Sequence, residues 1–81
     1  MTREEAFALI VLLQKARREM CVDESLAFVR GAVVGGRQQP FAYDVLALLE
    51  EAAEVEADYD KFKALLTTAV SFVNKALSGE L

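Results

Sequence analysis

The chain has 81 residues, of which 54% are apolar and 27% charged, and it carries a formal charge of −4 with no histidine. A chain this short holds one domain and buries only about 60% of the surface its unfolded form exposes, so an apolar fraction above the soluble average is hard to shelter in one copy. The acidic balance excludes a generic polyanion binder, while a lone Cys21 without histidine excludes an internal disulfide, Cys–His catalysis and mixed Cys/His zinc sites.

The first element contains AFALIVLL, residues 6–13, in which every side chain is apolar. A membrane span needs about 20 such residues, and Lys15, Arg17 and Arg18 close this run off. The opening MTREE sets Arg3 against Glu4 and Glu5, unlike the basic segment of a signal peptide, and no small-residue cleavage site follows. A cytoplasmic setting without membrane attachment is the expectation. Thr2 and Glu5 form a capping box, which starts a first helix at Arg3. On its helical wheel Ala6, Leu9, Leu12, Leu13, Ala16 and Met20, with Ile10 at the edge, make one broad face. Phe7 and Val11 fall outside it, one turn apart and near Gln14 and Arg18, where one pair of neighbouring helices cannot cover both patches. The first helix is therefore either central to the bundle or in contact with a second chain through Phe7, Val11 and Ile10; a self-complementary homodimer is the commonest form of the latter. The competing arrangement folds Leu26, Phe28, Val29 and Val33 of the second helix back over this patch.

Asp23 is a suitable cap for that second helix, starting at Glu24, because its carboxylate accepts orphan amide protons and complements the positive helix end. Cys21, between Met20 and Val22, reads as a small buried apolar residue. Gly35 and Gly36 end the helix through the left-handed conformation that glycine tolerates. GAVVGGRQ, from Gly31, has the glycine spacing of a phosphate loop but lacks its lysine and hydroxyl; Gly31 and Gly35 would at most allow a close helix crossing. Pro40 suits the first turn of a third helix, where its missing N–H costs nothing.

From Phe41 to Ala76 apolar residues recur in steps of four and three: Phe41, Val45, Leu48, Ala52, Val55, Tyr59, Phe62, Leu66, Ala69, Val73 and Ala76. Taken alone, that stripe describes one merged helix about 54 Å long with a coiled-coil seam. The flanking apolar residues argue for two helices. Ala42, Leu46, Leu49 and Ala53 widen one side of the first half, whereas Leu65 and Phe72 widen the other side of the second; the apolar direction swings by about 110°, far more than heptad drift. Glu56 falls on the apolar sector and Asp58 and Asp60 are acceptable caps, which places a break between 56 and 60. The predicted fold is a single all-α domain over 1–81: a small bundle of about four helices near 3–20, 24–34, 40–56 and 59–77.

Few motifs carry chemistry. Glu50, Glu51 and Glu54 spell E-E-x-x-E, which resembles the first half of the magnesium-binding motif of all-α nucleotide pyrophosphohydrolases. That resemblance implies a second acidic pair of the form E-x-x-D on the following helix, and Lys61 to Ser78 contains no acid, so the ligand oxygens a hard cation needs are missing. The alternating acids Glu54, Glu56, Asp58 and Asp60 resemble the start of a calcium loop, but Tyr59 stands where the sharp turn needs glycine and Leu65 where the bidentate glutamate belongs. No enzyme, metal or cofactor is expected. Between Asp44 and Asp60 there are seven acids and no base, and Asp44, Glu50, Glu51, Glu54 and Asp58 share a sector of the predicted third helix opposite its apolar face. Mutual repulsion along such a row is small; the acids form a plain solvated surface, or meet Arg17, Arg18, Arg30, Lys61 or Lys63 on another element or copy, or dock a basic surface on a foreign protein. The composition thus points to a small adaptor, chaperone or regulator that binds protein as a homodimer and touches neither nucleic acid nor membrane directly. The alternative is a small acidic inhibitor of phage or mobile-element type, docking a basic surface on a nucleic-acid-handling protein; a magnesium-dependent enzyme of the pyrophosphohydrolase kind that Glu50, Glu51 and Glu54 resemble comes a distant third.

Overall fold

Thr2 and Glu5 start the structure as their spacing predicts: the Glu5 amide donates to Thr2 Oγ1 at 3.1 Å and the Thr2 amide to Glu5 Oε1 at 2.8 Å. The computed structural model describes residues 1–35, 39–79 and 81, and the regular elements among them are all helices. These are α1 (Arg3–Glu19), α2 (Asp23–Val34), α3 (Pro40–Glu54) and α4 (Tyr59–Gly79), a four-helix bundle with boundaries within two residues of those predicted. Among the described residues no helix is long and apolar enough to cross a membrane.

The helix ends show what local pattern misses. The left-handed stop of α1 is made by Met20, at φ 55°, whose amide reaches back to Ala16 O; a side chain there costs about 1–2 kcal/mol relative to glycine. Asp23 does not cap α2. It lies inside the first turn, and no side chain caps the helix at Val22. Instead the Val22 amide donates to Glu56 Oε2 at 3.2 Å, so a glutamate 34 positions away takes the place a capping-box glutamate fills locally. Cys21 is half-exposed rather than buried. Gly35 closes α2 at φ −66° and is not left-handed, and Gly36 lies outside the described residues. No close crossing forms at Gly31, where an added Cβ would meet nothing within 4 Å.

Pro40 occupies the first turn of α3 as expected. The stripe from Phe41 to Ala76 is interrupted: Val55 turns away at φ −121° and ψ 29°, and the Asp58 amide bonds Val55 O at 2.9 Å. Asp58 then caps α4, its Oδ1 accepting from the Lys61 amide at 3.2 Å. The merged helix is thereby excluded.

Topology follows from hydrogen bonds that tie the ends together. Met1 and Gln39 bond reciprocally, with Gln39 Nε2 to Met1 O at 3.1 Å and the Met1 amino group to Gln39 Oε1. Arg3 Nη1 bonds Leu77 O and Leu81 O, both at 2.8 Å. The starts of α1 and α3 and the end of α4 therefore share one end of the bundle, and the Val22–Glu56 bond joins the two turns at the other. The helices run up, down, up, down, each packed on its chain neighbour with α1 closing the ring against α4; the diagonal pairs stay beyond 8 Å between Cα atoms.

Leu9, Leu13, Val22, Val29, Val45, Leu49, Phe62, Leu66 and Val73 are fully buried between the helices, and each such side chain contributes about 1.5–3 kcal/mol on burial. Ser25 is the buried polar residue among those described; its hydroxyl donates to Leu12 O at 3.3 Å, which satisfies it and pins α2 to α1. The radius of gyration, 11.5 Å, matches the roughly 11.7 Å expected of a compact chain this long. One copy therefore builds a closed core, and what needs explaining is the apolar surface left outside it.

Candidate interaction site

The core takes the Ala6, Leu9, Leu13 and Ala16 side of α1. Opposite it Glu4, Phe7, Val11, Gln14 and Arg18 form an outward ridge in steps of three and four, and all five lie on the side away from the core. Phe7 is 53% and Val11 64% exposed. The covering arrangement by the second helix does not occur: α2 sends Leu26 and Val29 into the core, with Phe28 and Val33 partly buried against it. Ile10 is also half-buried against the core, so it offers a partner only its edge.

The flanks of the ridge are held in place. On the α2 side Lys15 Nζ meets Glu24 Oε1 at 2.8 Å; the hydrogen bond and charge of Glu24 raise the pKa of Lys15 above its ordinary 10.5, although both groups are open to water and the pair stabilises little. On the α4 side the Arg3 guanidinium, anchored on two carbonyls, lies 5.8 Å from the Phe7 ring centroid, a cation–π distance that holds the ring against the bundle. Further along, Gln14, Arg17, Arg18 and Lys63 line a groove between α1 and α4. The ridge is thus acidic at one end, apolar in the middle and cationic at the other.

The acidic sector is smaller than the sequence implied. Asp44, Glu50, Glu51 and Glu54 are exposed on α3. Asp58 is not on α3, because the helix ends before it and its carboxylate is used as the cap of α4. Glu50 approaches Arg30 at 3.5 Å in an exposed pair. The groove beside Glu51 is lined by Val55, Lys61, Ala64 and Leu65, which brings a lysine of α4 alongside the acidic sector.

A grouping that local spacing did not reveal lies at the turn end: Cys21 Sγ and carboxylate oxygens of Asp23 and Glu56 are within 4.8 Å of one another. Glu56 is engaged there by the Val22 amide, and Asp23 sits at the positive start of α2, where a carboxylate is favourable. A concavity of about 490 Å³ opens beside the α1 and α2 helices at the chain-start end. Its charged lining residue is Glu5, which belongs to the capping box. No protein family, curated protein or solved structure matches the chain.

Proposed function

We propose that the protein is a non-enzymatic protein-protein interaction module, an adaptor or regulator, that works as a homodimer through the outward ridge of α1. The observation that carries this reading is the pair Phe7 and Val11, 53% and 64% exposed and one turn apart on the side of α1 away from the core. Large apolar side chains scattered singly need no explanation, but two adjacent ones framed by Gln14, Arg18 and Glu4 have the apolar centre and polar rim of a docking patch. A patch this small belongs to the weak, exchanging class of interfaces. Sedimentation velocity across a micromolar concentration series tests the reading: a shift from monomer to dimer with rising concentration supports it, and a monomer throughout removes it.

A second reading rests on α3, where Asp44, Glu51 and Glu54 are exposed and have no ion-pair partner within 4.0 Å among the described residues. These acids suit a basic surface on a foreign protein, with complementary charge governing encounter rate and specificity. Capture of a basic partner that is lost on Glu51→Lys with Glu54→Lys, while self-association is unchanged, would select this reading.

A further inference from the structure

We infer that the two copies pair antiparallel along α1, with Val11 at the two-fold axis and Glu4 of each copy facing Arg18 of the other. This rests on the homodimer reading and adds its geometry. Glu4, Phe7, Val11, Gln14 and Arg18 follow a single seam on the outward side of α1, with the three-four spacing by which two helices interdigitate. Glu4 and Arg18 are seven residues either side of Val11, so reversing a second helix about Val11 sets Glu4 of each copy beside Arg18 of the other, and the two contacts lie about 21 Å apart along the axis. Phe7 then packs over Val11 and Gln14 of the second copy.

Charge selects this direction over the parallel one. A parallel pair would set Glu4 against Glu4 and Arg18 against Arg18, and like charges in register are penalised. The antiparallel pair forms the Glu4–Arg18 contact twice, as an isologous interface requires, and opposes the two helix dipoles. Neither residue is engaged within its own bundle: among the described residues neither has an ion-pair partner within 4.0 Å. Beside the ridge, Arg3 is held by the carbonyls of Leu77 and Leu81 and Lys15 by Glu24, while Arg17 and Lys63 line the groove next to Arg18 and add to the positive charge at that end. Glu4 and Arg18 are the charges that stand on the seam itself.

The test is a charge swap read by sedimentation, with circular dichroism confirming helix content. Glu4→Arg and Arg18→Glu should each weaken self-association about tenfold or more, since two pairs per dimer turn from attraction to repulsion. An equimolar mixture of the two variants should recover wild-type association, because only the mixed dimer sets opposite charges against each other at both contacts. The double variant E4R/R18E should recover it alone. Single variants that associate like wild type, or a mixture that fails to recover, would overturn the antiparallel register. If Val11→Lys dissociates the dimer while the charge variants leave it intact, the ridge reading survives and this geometry does not; a wild-type monomer at all concentrations removes both.

Discussion

Val11→Lys separates folding from the proposed association, because Val11 is exposed and takes little part in the core of one copy. Burying a valine side chain completely contributes about 1.5–3 kcal/mol. With 64% of the residue open in one copy, covering it in a dimer recovers about 1–2 kcal/mol per copy, or about 2–4 kcal/mol for the symmetric pair. That corresponds to a dissociation constant about 30- to 700-fold higher for the variant, before any repulsion between the two lysines on the axis. The monomer should scarcely change, since an exposed substitution on a helix stays within about 0.5 kcal/mol and lysine is a good helix former. Sedimentation velocity gives the association constant, and thermal melts at concentrations where wild type is monomeric give the stability. The reasoning fails if wild type dimerises and Val11→Lys dimerises equally well. It also fails if the monomeric variant melts many degrees lower, which would mean that Val11 is packed inside its own bundle.

Three other outcomes concern the fold that presents the ridge. Phe62→Ala, which empties the largest fully buried side chain, should cost about 3–5 kcal/mol of the roughly 4–12 kcal/mol available to a chain this long; chemical denaturation should find the midpoint strongly lowered, and an unchanged midpoint would refute the burial of Phe62. Glu56→Ala should cost about 1–3 kcal/mol by leaving the partly buried Val22 amide without its acceptor, which lowers the melting temperature by about 4–8 °C for each kcal/mol. Glu56→Gln, which keeps an acceptor, should lose less, and equal losses would show that the bond is not what holds the two turns together. Asp58→Ala should cost about 1 kcal/mol by uncapping α4, and no loss in a thermal melt would remove that role.

Much of the fold is legible because its signals are local. Thr2 and Glu5 are three positions apart, and Pro40 marks a first turn by its own ring, so both starts can be read directly. The division of α3 from α4 is legible in another way: the uninterrupted stripe argues for one helix, but the residues beside it, Leu49 on one half and Phe72 on the other, require different buried sides. The misread features are tertiary. Asp23 has the chemistry of a cap, yet Glu56 reaches the Val22 amide from across the bundle, and nothing near residue 22 announces a carboxylate 34 positions later. Asp58 shares the wheel position of the α3 acids only if the helix continues through it. Met20 holds a conformation that sequence assigns to glycine, because the chain must turn there whatever residue occupies the place.

The ridge was legible for a reason that also bears on its use. A corner helix of a four-helix ring has two neighbours, so it can bury an arc facing them and must leave the opposite ridge to solvent. On α1 that ridge lies at 4, 7, 11, 14 and 18, and no choice of partner within the ring can cover it, because the diagonal helix α3 stays out of reach. Phe7 and Val11 therefore lie outside the closed core that Leu9 and Leu13 supply. A polar residue at Val11 would leave the monomer about as stable and more soluble. Under the proposed pairing, the apolar side chains at two of the three positions between Glu4 and Arg18 gain a use, since a reversed copy of the same ridge supplies both an apolar centre and the opposite charges.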